Sequence, residues 1–332
     1  MKNIRALLLL LVLFILVNTL AEAQPRFSSR SKYGTVGFSM NAMNYFGDIV
    51  PDPDFTSFRS KSTRSNFTLD YTYRFAPRIS GRAAFSWGTI TGDDKKSASE
   101  AEIENEPRYT RNLSFKSNIA EFSAVAIIDL FENRFNYQRR PDFVPYGFVG
   151  IAVFHHNPKT YYESGSHPGL SEANDIPTGW YALQPLGTEG QYVEGVGMSA
   201  PYSLVQVAIP FGLGLRYKLD RQWDLKFEIG WRKTFTDYLD DVSSDSYISK
   251  ADLLSGGGLN PKAAALLSDR SAEGLVEYEQ DPSGTAYNHI TGYGIPNRYR
   301  RGNASDKDWY IIAGLGVNYI ISPKTRRKPK FR

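Results

Sequence analysis

Apolar and polar residues alternate along several stretches of this chain, which predicts β-strands with one apolar face. Over 66–75 the odd positions are Phe67, Leu69, Tyr71, Tyr73 and Phe75, against Asn66, Thr68, Asp70, Thr72 and Arg74. Over 205–219 an odd series from Val205 to Leu219 opposes Gln206, Ala208, Pro210, Gly212, Gly214, Arg216 and Lys218. Over 223–231 Trp223, Leu225, Phe227, Ile229 and Trp231 oppose Asp224, Lys226, Glu228, Gly230 and Arg232, and a last strand spans 309–321. Weaker alternation marks strands at about 35–46, 79–91, 117–130 and 146–156. Most of these eight segments are ten residues or longer, the length of a tilted membrane strand.

The connections alternate in length. Strands two and three join through 76–78, six and seven through 220–221, and four and five through 132–145. The others are long: 47–63, 92–112, 157–202 and 237–307. Short turns on one side and long loops on the other predict an all-β protein, an eight-stranded antiparallel transmembrane β-barrel with long extracellular loops. An even strand count puts both mature termini on the turn side, which would be periplasmic. The alternative is a soluble sandwich or lipocalin-like barrel. Aromatics near both strand ends argue against it, as does the charge on the opposite face. Asp70, Arg74, Arg82, Glu121, Asp129, Arg216, Lys226, Glu228 and Arg232 are expected to compensate one another inside a narrow, filled lumen.

The N-terminus changes the picture from barrel to exported barrel. Lys2 and Arg5 precede an apolar run from Ala6 to Val17, and Ala21-Glu22-Ala23 matches small-x-small cleavage. As a helix those residues would reach about 18 Å, short of a roughly 30 Å hydrocarbon core. Residues 1–23 therefore read as a signal peptide cut between Ala23 and Gln24. A barrel domain then spans 24–322 and a basic periplasmic tail 323–332. A mean hydropathy of −0.39 excludes a helical membrane protein but suits a barrel, in which alternate residues face lipid. The absence of Cys removes disulfides, thiolate catalysis and a lipidated N-terminal Cys. The net charge of +4 is too mild to imply nucleic acid.

Candidate chemistry is sparse, and no enzyme, cofactor or metal site is expected. His155 and His156 are adjacent, so in a strand they point to opposite faces; His167 and His289 are loop residues. Gly92-Asp93-Asp94 and the run Asp237-Tyr238-Leu239-Asp240-Asp241 read as cation sites at the rim or, favoured over that, as a solvated loop or a packed, hydrogen-bonded strand exit. In the longest loop Asn260 is placed to cap a short helix that begins at Pro261. The tail carries Lys324, Arg326, Arg327, Lys328, Lys330 and Arg332, on the same side as Arg78, Arg134, Arg139, Arg140 and Arg221. That side would attract an acidic protein surface or anionic lipid, unless the tail is simply solvated.

Several short motifs resemble the PorG family of outer-membrane barrels. They are Asn44-Tyr45-Phe46-Gly47-Asp48, Thr91-Gly92-Asp93-Asp94, Arg111-Asn112-Leu113-Ser114-Phe115, Ile119-Ala120-Glu121-Phe122 and Pro145-Tyr146-Gly147-Phe148-Val149-Gly150-Ile151. Thr234-Phe235-Thr236-Asp237-Tyr238-Leu239-Asp240-Asp241-Val242, Arg301-Gly302-Asn303 and Asp308-Trp309-Tyr310 complete the set. The resemblance implies a role in type IX protein secretion and gliding motility. It implies anchoring of a periplasmic ring of PorK lipoprotein and PorN type to the outer membrane, with outer-membrane lipids as further partners and no small-molecule substrate. The alternatives are an unrelated small outer-membrane barrel that acts through its loops, as adhesin or rim enzyme, and a soluble periplasmic β-protein.

Overall fold

The computed structural model describes residues 31–49, 60–97, 106–167, 176–195, 200–256, 258–273 and 293–322. The signal segment with Ala23 and Gln24, and the tail from Lys324 to Arg332, lie outside the described residues. Among the described residues ten strands form one sheet: β1 (Tyr33–Phe46), β2 (Arg64–Arg74), β3 (Ile79–Asp93), β4 (Ser114–Asp129), β5 (Phe143–His155), β6 (Pro158–Tyr162), β7 (Gly179–Ala182), β8 (Val205–Lys218), β9 (Trp223–Thr234) and β10 (Trp309–Ile321). The order β3-β2-β1-β10-β9-β8-β5-β4, closed by β3–β4 pairing, is an eight-stranded antiparallel barrel. β6 and β7 are a hairpin not anticipated in the sequence. It pairs with β4 at Lys116 and Ser117, beyond the end of β5, and extends the wall on the loop side. Four to five residues per strand are too few for alternation to show.

The apolar faces point outward. Phe38, Met40, Leu69, Phe85, Phe122, Ile151, Leu213, Phe227 and Leu315 are all exposed on the outer wall. Aromatics gather near both rims: Tyr73, Phe143, Tyr217, Trp223 and Tyr319 toward the turns, and Phe67, Trp87, Phe211 and Trp231 toward the loops. On β9, Trp223 and Trp231 are separated by roughly 26 Å of strand. No helix among the described residues is long and apolar enough to cross a membrane.

Inward positions fill the lumen. Asp70 pairs with Lys226, Arg82 with Glu228, and Glu121 with Arg232 at 3.3 Å. Asp129 sits between Arg74 at 3.7 Å and Arg216 at 3.3 Å. All nine of the expected luminal charges are thus paired with one another. Tyr146 donates to Glu228 at 2.6 Å and Tyr310 to Glu121 at 2.7 Å. Val125, Ile127, Tyr146 and Phe148 form an apolar patch in the same space. Gly212 and Gly230, directly paired across β8 and β9, make room for the Phe148 ring; a Cβ on either would stand 2.7 Å from it. Cavities of about 20 and 30 Å³ remain, each room for roughly one or two waters.

Candidate functional site

The four long connections converge over the loop-side mouth. Each supplies polar residues to one buried cluster, and most of those residues belong to the motifs singled out in the sequence.

Tyr45, near the end of β1, turns its hydroxyl to Asp240 Oδ2 at 2.5 Å and Asp308 Oδ1 at 3.1 Å. A phenol has one proton, so the second bond needs a proton on a carboxyl. Burial pushes both Asp240 and Asp308 well above the usual carboxylate range, the direction that favours such a proton. Asp240 also accepts from the backbone N–H groups of Ile49 at 3.2 Å and Val242 at 2.9 Å, and Asp308 from that of Leu239 at 2.9 Å. The Asp-Asp run after β9 is therefore a folded knot. Asp241 adopts φ +71°, where a short polar side chain is tolerated. Its carboxylate accepts from Tyr202 at 2.6 Å and Thr188 at 2.5 Å.

Two arginines tie the loops together. Arg111 ends a short helix, Glu106–Arg111, which Asn112 terminates in the left-handed conformation at φ +57°. Its guanidinium clasps Asp94 with two bonds of 2.8 Å and also donates to the carbonyls of Asp48 and Arg301. Arg301 pairs with Glu189 and donates to Thr188, to the Asp241 carbonyl and to the Ser268 carbonyl. Glu189 also accepts from the backbone N–H groups of Ser243 and Ser244, both at 3.0 Å. Desolvation raises Asp94 and Asp48 above the ordinary value, and lifts Asp237 and Asp241 to about 7. Asp237 bonds Ser243 Oγ at 2.8 Å, with Lys307 at 4.0 Å.

Above the cluster the loops make a second apolar core from Tyr162, Ile176, Leu186, Ile248, Leu253 and the helix Pro261–Ser268. Asn260 caps that helix as anticipated, accepting from the Ala263 N–H at 3.1 Å. Lys250 and Asp269 are a buried ion pair beneath it, 3.0 Å apart.

The acidic stretches thus behave as packed strand exits. Asp94 and the Asp240-Asp241 pair are buried, while Asp93 bonds Lys96 at 2.6 Å on the surface. Among the described residues no three His, Asp or Glu side chains are placed to hold a metal ion. His155 is exposed and His156 buried, on opposite faces as their adjacency requires; His167 is buried in a loop, and His289 lies outside the described residues. Glu189, whose Oε1 accepts from Arg301 and from the Ser243 and Ser244 N–H groups, was not anticipated. It follows Thr188 in a turn between Gly187 and Gly190, with no periodic signal around it.

On the turn side Arg78, Arg134, Arg139 and Arg221 are exposed. Arg140 is not part of that surface, contrary to expectation. It is buried against Asp224 at 2.6 Å, and its remaining N–H groups go to carbonyls of the two turns, including Tyr137 and Arg221. Asp224 is an inward position at the start of β9, and its charge draws Arg140 under the barrel floor.

Among known proteins, the family model described as a domain of unknown function (DUF6089) matches residues 7–177, just over half of the chain. No curated protein sequence matches. Solved structures that resemble the chain include Ail, the attachment invasion locus protein of Yersinia pestis. It is 7% identical, with 88% of this chain and 99% of that one covered and a TM-score of 0.35. Neisserial surface protein A is 9% identical over 86% of this chain and 96% of its own, with a TM-score of 0.34. The N-terminal β-barrel domain of Pseudomonas aeruginosa OprF is 9% identical over 87% and 99%, at 0.31. The family match runs through β1 to β6 and takes in Tyr45, Asp48, Asp94 and Arg111 of the cluster. The chain belongs to the DUF6089 family.

Proposed function

We propose that this chain is an outer-membrane barrel that acts as a scaffold, without catalysis, within a type IX secretion machine. In this reading it anchors a periplasmic ring of PorK lipoprotein and PorN type. The observation that carries the proposal is the contrast between the two barrel faces. The outer wall is apolar between aromatic rims, which suits a bilayer. The lumen is occupied by its own ion pairs, with room for a few waters only. Such a body can hold a place in a membrane and a partner beneath it, and is poorly suited to passing cargo.

The turn side would then face the periplasm, with both mature termini. Exposed Arg78, Arg134, Arg139 and Arg221 support an acidic partner there, and the basic tail from Lys324 to Arg332 would add to them. The test is a detergent pull-down from native membranes with mass spectrometry of the partners. Ring proteins should co-purify, and deletion of the chain should abolish secretion. Truncation after Ser322 should weaken ring association while heat-modifiable gel mobility persists. A pull-down that brings no periplasmic partner would sink the proposal.

A second reading rests on the folded cap. Loops with their own apolar core and capped helix make a surface able to bind a ligand, as in an adhesin or rim enzyme. It predicts loop-dependent binding or turnover by the purified barrel alone.

A further inference from the structure

We propose that the outer wall holds one molecule of lipid A, with an acyl chain in a trough along β10 and a phosphate on Lys233. The inference rests on the loop side facing outward, as in the scaffold reading, and needs no periplasmic partner. The trough has a volume of about 690 Å³, and all of its lining side chains are apolar. Met40 of β1 and Phe227 of β9 stand as its banks, with Leu315 of β10 between them in the ladder. Toward the loops the banks fall away, because Ala42 there faces Ala313.

An acyl chain seated between two banks touches the wall on three sides, and each methylene gains contacts that a convex wall would not give. Ordering the chain costs rotamer freedom, so the trough by itself favours no particular lipid. A charge on the head must add to it, and Lys233 is placed to do so. Lys233 faces Trp309 in the ladder, four positions beyond Ala313. That is roughly 13 Å of strand, or about 10 Å of height at the usual barrel tilt.

The charge on Lys233 is available. Its side chain is exposed, its ammonium stands over the Trp309 ring at 5.3 Å, and no carboxylate among the described residues pairs with it. An aromatic face holds a cation in place without neutralising it. Trp309 and Trp231 both pack on Phe211, with ring centroids 6.1 and 5.9 Å apart, as part of the loop-side aromatic rim. Such a rim marks the level where heads meet tails. The cation therefore lies at head level and the trough at tail level, on the same strands. With the loops outward, the leaflet at that rim is the one built of lipid A, whose sugar head carries phosphate above several acyl chains. An ammonium bonding a phosphate oxygen is a charge-assisted contact.

The test is native mass spectrometry of the full chain released from nonionic detergent. It is titrated with lipid A, with lipid A stripped of its phosphates, and with phosphatidylglycerol. One lipid A should bind per chain, roughly tenfold tighter than either of the others. Lys233→Gln should weaken lipid A roughly tenfold, through loss of one charged hydrogen bond, and leave the stripped form unchanged. Ala313→Trp should weaken both forms, because its ring would fill the loop-side end of the trough. Ala124→Trp, exposed on β4 across the barrel, is the control and should change neither. Heat-modifiable mobility reports that each variant is folded. Equal binding of the three lipids, a preference for phosphatidylglycerol, or lipid A affinity unmoved by either Lys233→Gln or Ala313→Trp overturns the proposal. Ring proteins should co-purify with both variants as with the parent chain, so this inference and the scaffold reading fail separately.

Discussion

The lumen and the cap use the same residue types to different ends. In the lumen five bases, Arg74, Arg82, Arg216, Lys226 and Arg232, meet four acids, Asp70, Glu121, Asp129 and Glu228. Each acid there has a cationic partner. In the cap seven carboxyls, Asp48, Asp94, Glu189, Asp237, Asp240, Asp241 and Asp308, share two buried guanidiniums, Arg111 and Arg301, with Lys307 at the edge. The balanced set fills a tube whose walls already hold themselves by closed backbone pairing. The unbalanced set ties together loops that lack closed backbone pairing and otherwise share only their own small apolar core. It does so partly through carboxyls whose burial favours the protonated form, which donates and accepts like a hydroxyl. Buried charge in this molecule is packing material in one region and the fastening in the other.

The largest effect should come from removing the fastening. Arg301→Met leaves Glu189 without its cation and strands the Asp241 and Ser268 carbonyls. Breaking a buried pair from one side costs about 3–5 kcal/mol, and the extra orphaned acceptors put this variant at the upper end. Limited proteolysis should cut the cap while heat-modifiable gel mobility shows an intact barrel. Loss of barrel mobility in step with the cap would erase the distinction between the two regions.

The matching change in the lumen is Lys226→Met, which isolates Asp70. About 3 kcal/mol is expected, because the cavity of about 20 Å³ beside Lys226 lets water reach the carboxylate. The double variant Asp70→Leu/Lys226→Met should recover most of the loss. Urea unfolding of the refolded barrel would measure both. A double variant as unstable as the single would mean that the luminal charges do more than fill space.

Acidity separates the regions more gently. Asp237 and Asp241 ionise at about 7 when folded, against an ordinary value near 4. Their folded-state affinity for protons is the higher one, so the folded cap binds more protons between those limits. Stability of the cap therefore falls as pH rises from about 4 to about 7, and is flat above. Hydrogen exchange of the loops should be slower at pH 5 than at pH 8, after correction for the intrinsic rate. Equal protection at both would show that the two carboxyls are solvated and ordinary.

What could be read from the chain follows the same division. Barrel strands announce themselves because lipid-facing positions recur every second residue, so Phe67 to Phe75 or Trp223 to Trp231 needs no partner to be recognised. The luminal charges were legible as a by-product, being whatever stands opposite. The cap has no period. Tyr45 bonds Asp308 across 263 positions, and Arg301 meets Glu189 across 112. The motifs marked most of its members without revealing that they touch. Glu189, and Arg140 under the barrel floor, were decided by tertiary contacts that leave no local mark.

The helix Pro261–Ser268 is the exception, a piece of the cap written in local code, and it supplies the smallest test. Asn260 accepts from the Ala263 N–H, and Pro261 needs no partner for an N–H it lacks. Asn260→Ala removes the cap and should cost about 1 kcal/mol, while Asn260→Asp should preserve it. Burial of Ala263 to Leu267 in the second core is unaffected by either change, so the helix should persist with faster exchange at its first turn. If the fastening is the Arg301 cluster, that loosening stays within 260–268 and leaves the loop residues around Asp240 protected. Faster exchange across the whole cap would mean that the helix and the cluster unfold as one unit, and that the cap is held as much by its apolar core as by its charges.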